Sequence, residues 1–170
     1  MCVLLEAAGP AVAEAVAQFV KESDARLMVE RMAKSEAWQK IDAMELEMEA
    51  HPEAFFELPT EHTFYPGLYK RGVLMTAGRF ITTRIHLTDH PFSVLSGRLL
   101  VWDDANGVVE ISAPYDGSTK AGTRRLLYIL EDTHWITYHA NPDNETDPNK
   151  IVERCTYNNR LLREKMEKSP

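Results

Sequence analysis

Between residues 78 and 97 the chain reads GRFITTRIHLTDHPFSVLSG, which sets Arg84, His86 and His90 close together. Residues two apart on a strand share a face, so Arg84 and His86 point the same way, and a short turn brings His90 back beside them. Neutral imidazoles are ligands for zinc, iron, manganese or nickel. An arginine instead presents forked donors to a carboxylate or phosphate, and it repels a cation because it stays protonated. Two chemistries are therefore open. In the first, His86, His90 and His139 hold a divalent metal. In the second, Arg84 and Arg125 hold an anion while His86 or His90 acts as general base, its pKa lowered by those cations. Tyr128, and less directly Tyr138, are candidate proton donors. His134 and His139 differ in strand parity, so only one of them faces a shared pocket; His139 is preferred because it lies on the face of Trp135 and Thr137. His51 and His62 precede the predicted barrel and receive no role.

Elements that position such a pocket follow from the texture of the chain. Its 170 residues, 44% hydrophobic and 26% charged, are ordinary for a globular domain with a sizeable core. From residue 58 onward, short β-rich runs alternate with Pro, Gly, Asn and Asp, the pattern of an antiparallel barrel or sandwich. Strands are expected over 62–65, 68–76, 79–87, 91–95, 98–103, 108–113, 124–131 and 134–140, with a loop over 114–123. The tightest hairpin is Asp103-Asp104-Ala105-Asn106-Gly107, where Asn-Gly accommodates positive φ. Upstream, Val12, Val16, Phe19 and Val20 begin an amphipathic helix of about 20 residues or a broken pair. A second helix, capped by Ser35 and stopping near His51-Pro52, places Ala37, Ile41, Met44 and Met48 on one face, with Glu45, Glu47 and Glu49 largely off it. Residues 149–166 are expected to be helical, with Ile151, Cys155, Leu161, Leu162 and Met166 packing inward. The organisation is thus a helical segment over 1–57, a barrel over 58–141, and a loop with a helix over 142–170, packed on the barrel.

Charge is unevenly distributed within the net −7. Residues 1–61 hold five Lys/Arg against thirteen Asp/Glu, residues 62–125 eight against five, and residues 126–170 six against eight. A locally basic middle suits a pocket for a small anion, while the overall acidity argues against a nucleic-acid coat. Apolar runs fall well short of the roughly 18 residues of a membrane span, and the first residues lack a basic n-region. Cys2 and Cys155 make no disulfide or metal spacing, which fits a reducing compartment; a cytoplasmic location is the expectation. No G-x-S-x-G, P-loop, G-x-G-x-x-G or C-x-x-C occurs, so acyl-serine, nucleotide-triphosphate and thiol-redox chemistry lack a local signature.

Gly78-x5-Arg84-x-His86-x3-His90-x6-Gly97 resembles the first cupin motif, G-x5-H-x-H-x3-4-E-x6-G. Arg84 takes the place of the first metal histidine, His86 that of the second, and His90 that of the glutamate. The second motif, P-x-G-x2-H-x3-N, is matched in frame at Gly122 alone, with Arg125 replacing the histidine and Ile129 the asparagine. The run from Phe64-Tyr65-Pro66-Gly67 to Asp132-Thr133-His134-Trp135 is also similar to small cupin-like proteins of tailed bacteriophages. This resemblance implies a mainly β, RmlC-like jelly-roll (double-stranded β-helix) barrel with N-terminal helices and a C-terminal helix, and a homodimer formed by sheet packing. It also implies a cavity for a small anion or carbohydrate, with or without zinc, iron, manganese or nickel. Three classes of function remain open: a ligand-binding barrel, a metal-dependent or epimerase-like enzyme, and a phage accessory protein in the host cytoplasm that contacts a protein partner through its acidic N-terminal helices. Fold alone does not choose among them.

Overall fold

A computed structural model describes residues 36–51, 58–103, 106–160 and 164. The first predicted helix, and with it Leu161, Leu162 and Met166, lie outside the described residues. The described elements are α1 (Glu36–Ala50), β1 (Thr60–Tyr65), β2 (Gly67–Met75), β3 (Phe80–Thr82), β4 (Ile85–His86), β5 (His90–Asp103), β6 (Gly107–Ser112), β7 (Tyr115–Thr119), β8 (Leu126–Asn141), α2 (Pro148–Cys155) and β9 (Thr156–Tyr157).

All strand pairs are antiparallel, and seven strands form one sheet in the order β1-β2-β8-β5-β6. Strand β3 pairs with the first residues of β8, and β7 pairs with the first half of β5. Each long strand thus changes partner along its length, which curls the sheet around one core. Val73, Met75, Phe92, Val94, Leu99, Val101, Ile111, Leu127, Ile129 and Trp135 fill that core.

Strand β5 explains a difference from the expected strands. Two segments, 91–95 and 98–103, are expected from the sequence, and between them the apolar alternation switches from even positions (Phe92, Val94) to odd ones (Leu99, Val101). The structure carries one strand across the switch. Register shifts between Val94 and Leu99 supply the odd step, so both halves keep their apolar side chains on the core. At its centre Gly97 has φ +88°, and a Cβ there would meet the Thr133 Cα at 2.7 Å. Gly97→Ala is expected to destabilise the fold by about 2–4 kcal/mol, the sum of left-handed strain and a backbone collision. Urea unfolding of the variant measures this, and a loss below about 0.5 kcal/mol contradicts the bulge geometry.

Two further expectations are corrected. The segment 114–123 is not all loop, because Tyr115–Thr119 forms β7 against His90–Val94. The C-terminal helix is interrupted after Cys155, where Thr156 and Tyr157 pair with His86 and Ile85 of β4, and Asn159, Arg160 and Glu164 are helical again. Asp147 caps this helix by accepting from the Asn149 N–H at 2.9 Å, with Pro148 in its first turn. Its apolar positions Ile151 and Cys155 are buried against Tyr69.

Helix α1 occupies the expected span but docks on a different face. Its buried positions are Trp38, Ile41 and Glu45, whereas Met44 and Met48 are half-buried; the side chain of Ala37 lies outside the described residues. The cause is Arg124, only 2% exposed. Its guanidinium lies 2.8 Å from the Asp42 carboxylate and 2.9 Å from that of Glu45, beneath the Trp38 ring. A buried cation stays folded in only where carboxylates meet it, so the helix turns its acidic edge inward. Asn159 completes the lock, donating to Glu45 Oε1 at 2.8 Å and to the Thr83 carbonyl at 3.0 Å. Burial pushes the Glu45 pKa up, but the Arg124 charge and the hydrogen bonds from Asn159, Arg124 and Thr82 outweigh it, leaving the carboxyl below its ordinary value.

Candidate functional site

The barrel encloses a cavity of about 520 Å³. Alternation along β2 sends Tyr69, Arg71, Val73 and Met75 into it. Register then sets Tyr69 opposite His139, Arg71 opposite Thr137 and Val73 opposite Trp135 on β8. His90 enters from the start of β5, held by its pairing with Thr119 of β7. His86 is carried by the two-residue strand β4, which β9 and the Gly122–Thr123 backbone clamp on either side.

His86, His90 and His139 meet there. The ring centroids of His86 and His90 are 4.4 Å apart, those of His90 and His139 4.4 Å, and those of His86 and His139 6.4 Å. The Nδ1 of His90 donates to the Thr88 carbonyl at 3.3 Å, and Nε2 of His139 contacts Thr137 Oγ1 at 3.2 Å. The opposite nitrogens, His90 Nε2 and His139 Nδ1, and also His86 Nδ1, are buried and have no hydrogen-bond partner. Burial drives all three pKa values down, and neighbouring basic groups add to it: His90, His139, Arg125 and Arg71 around His86, and His90 and Arg71 around His139. His139 falls to about 3, and His90 falls through burial with Arg125 contributing, against the raising effect of its Thr88 hydrogen bond and of Asp89. The cluster is neutral at pH 7.

Both predicted arginines border the same space, in different settings. Arg125 is buried; its Nη1 donates to Thr119 Oγ1 at 2.8 Å, its Nε lies 3.6 Å from Asp103 Oδ2, and its Cζ sits 5.3 Å from the Phe92 ring centroid. Thr83 fixes its backbone, accepting from the Arg125 N–H at 2.9 Å and donating its own N–H to the Arg125 carbonyl. Arg84 lines the cavity from an exposed position at its edge.

Three lining residues were not anticipated. Arg71 sits beside Thr137 with no ion pair among the described residues. Tyr69 is completely buried, and its hydroxyl is 2.6 Å from His62 Nδ1. Its ring stacks on those of His62, Phe64 and His139. Burial raises the Tyr69 pKa against the lowering effect of Arg71, so the phenol keeps its proton. His62, given no role from the sequence, therefore belongs to the cavity wall. Odd-position parity along β2 is the signal that singles out Tyr69 and Arg71 once the β2–β8 pairing is known.

Tyr128 is corrected. It has the opposite parity to Leu127 and Ile129, lies outside the cavity, and packs against Phe80 with centroids 4.6 Å apart. Tyr138 likewise does not line the cavity. His134 faces away too, with Nε2 3.7 Å from Glu61 Oε2.

Arg71, Arg84 and Arg125 line this cavity, while among the described residues no Asp or Glu does. Among the described residues no group of three or more His, Cys, Asp or Glu is placed to hold a metal ion. The donor set does not fit a divalent cation, because three guanidiniums border the same imidazoles and, among the described residues, Asp103 beside Arg125 offsets only part of that charge.

The antiparallel, jelly-roll-like barrel is cupin-like in fold, and its cavity wall has a cationic level and an apolar one. No family model and no curated protein matches the chain. Among solved structures it is similar to an uncharacterised conserved protein with a double-stranded β-helix domain from Klebsiella pneumoniae, with 14% identity, TM-score 0.44, 52% of this chain and 81% of that one. An RmlC-like cupin family protein from Methanocaldococcus jannaschii is similar at 6% identity and TM-score 0.43, covering 53% of this chain and 86% of that one. A cupin-2 domain containing protein from Shewanella frigidimarina is similar at 11% identity and TM-score 0.42, covering 55% and 92%. Among the described residues no helix is long and apolar enough to cross a membrane.

Proposed function

We propose that the barrel binds a small anion, with Arg71 and Arg125 as its principal partners and Arg84 at the entrance. The observation that carries this reading is the composition of the wall, which has arginines from three parts of the chain and, among the described residues, no carboxylate. A desolvated guanidinium is stabilised by an anion that supplies both charge and acceptors, and its planar fork suits carboxylate or phosphate. The neutral histidines add ring nitrogens that donate or accept as the bound group requires.

Thermal unfolding with inorganic phosphate, citrate and sugar phosphates tests the reading. A ligand present at about 100 times its Kd adds about 2.7 kcal/mol to stability. Arg71→Gln is expected to weaken the best ligand at least ten-fold, the loss of about 1.4 kcal/mol or more that accompanies one charged hydrogen bond. Unchanged affinity in Arg71→Gln sinks the assignment. Treatment with a chelator is expected to leave both melting temperature and anion affinity unchanged; a melting temperature lowered by the chelator and restored by zinc or manganese overturns the metal-free form of the proposal.

A further inference from the structure

Along β2 and β8 the cavity wall passes from a cationic level to an apolar one, while Pro148, Ile151, Val152 and Cys155 of α2 also line the cavity. Successive inward rungs of β2 and β8 run Tyr69 with His139, Arg71 with Thr137, Val73 with Trp135, and then Met75. Polarity therefore changes once, between the second and third rungs. Arg125 belongs to the polar level, since its guanidinium lies over Phe92, and Phe92 pairs with Thr137 across β5 and β8. Beyond it, Leu58, Ile81 and Leu127 join Val73, Met75 and Trp135 around the same void. At about 3.4 Å per residue, Arg71 and Met75 lie about 14 Å apart along the strand.

From this gradient we infer that the ligand is an amphiphilic organic anion, with a carboxylate or phosphate head between Arg71 and Arg125 and an apolar body extending toward Met75. The inference rests on the anion-binding reading and adds the chemical class of the ligand. A small inorganic anion leaves the apolar wall facing water, whereas an apolar body displaces that water and gains hydrophobic free energy.

Calorimetric titration of the full chain with straight-chain carboxylates from acetate to octanoate, with the matching alkyl phosphates and with the matching alcohols, tests it. Inorganic phosphate serves as the anion without a body. Affinity is expected to rise about four-fold per methylene, the equivalent of about 0.8 kcal/mol, and each alcohol is expected to bind at least ten-fold more weakly than its acid. The tighter of the two charged series identifies the head group. Leu58→Ser and Ile81→Thr, both at half-buried positions, are expected to flatten the rise while leaving inorganic phosphate affinity unchanged; melting curves report that each variant is folded. A flat series in the native protein alongside normal phosphate binding overturns the inference and leaves the anion site standing. Alcohols that bind as tightly as acids, or no binding by any anion, overturn both.

Discussion

Replacing Arg124 with alanine is expected to cost about 3–5 kcal/mol of folding stability, the penalty typical of removing one partner from a buried ion pair. Arg124 lies between Asp42 and Glu45 of α1 and is buried beneath Trp38. Without it the Glu45 carboxylate stays largely desolvated without its principal cation. Urea unfolding at pH 7 reads the loss, and a cost under about 1 kcal/mol refutes the lock. The pH dependence gives a second check. Glu45 in the native protein has a depressed pKa, so its contribution is present above the ordinary value of 4.5 and is lost as pH falls through the folded value. In the variant the Arg124 charge and hydrogen bond are gone, and burial is opposed only by the hydrogen bonds from Asn159 and Thr82, so that pKa rises above its native value. The gap between native and variant therefore narrows as the solution is acidified. Arg125 is expected to move as well, because Asn159 and Thr83 link the helix to its backbone, so anion affinity should fall along with stability.

Acid should unfold the protein from pH 6.5 downward, because His86, His90 and His139 are all depressed in the folded state. Unfolded histidines titrate near 6.5. Below that value the unfolded chain binds more protons than the folded one, so stability rises with pH and falls on acidification. Each histidine contributes up to about 1.4 kcal/mol per pH unit, continuing to about pH 3 for His139. Above pH 7 the three contribute no slope. Arg71, Arg125 and the neighbouring imidazoles act in the same direction as burial, and at His90 Asp89 and the Thr88 hydrogen bond oppose it without reversing it. Urea midpoints at pH 7.5, 6.0 and 5.0 measure the effect, and His139→Asn is expected to reduce the slope by about one proton. A bound anion reverses part of it, since a negative charge beside the rings raises their pKa values. Equal midpoints at pH 7.5 and 5.0 contradict the neutral cluster.

How much of this was legible beforehand differs from element to element. The β texture, the Asp103–Gly107 hairpin and the span of α1 are local features, set by turn chemistry and apolar spacing, and they appear in the structure where the residues indicate. The parity argument that separates His139 from His134 also describes the placement seen, because alternation is a property of any regular strand. Local patterns misled where a long-range partner intervened. The docked face of α1 carries the buried Glu45 and the half-buried Asp42 because Arg124, about eighty residues further on, needs counter-charge; nothing in the helix itself announces this. Residues 156–157 leave the helical pattern because β4 offers them a pairing edge.

His62 and Tyr69 show the same limit at the cavity. Their contact depends on the β1–β2 hairpin, in which His62 pairs with Arg71 and Phe64 with Tyr69, and on the β2–β8 register that brings Tyr69 to His139. A one-residue slip in either ladder would turn these side chains to solvent.

By itself, then, the sequence determined a mainly β chain with Arg84, His86 and His90 in a frame similar to the cupin motif, and it determined that arginine occupies positions where that motif carries histidine. Those are matters of residue type and local period. The tertiary structure alone decided that Arg71 and Arg125 reach one level of one cavity, that Tyr128 is outside it, and that apolar rungs begin immediately beyond. Sign and polarity of a cavity are sums over residues far apart in the chain, and only strand register brings those residues face to face.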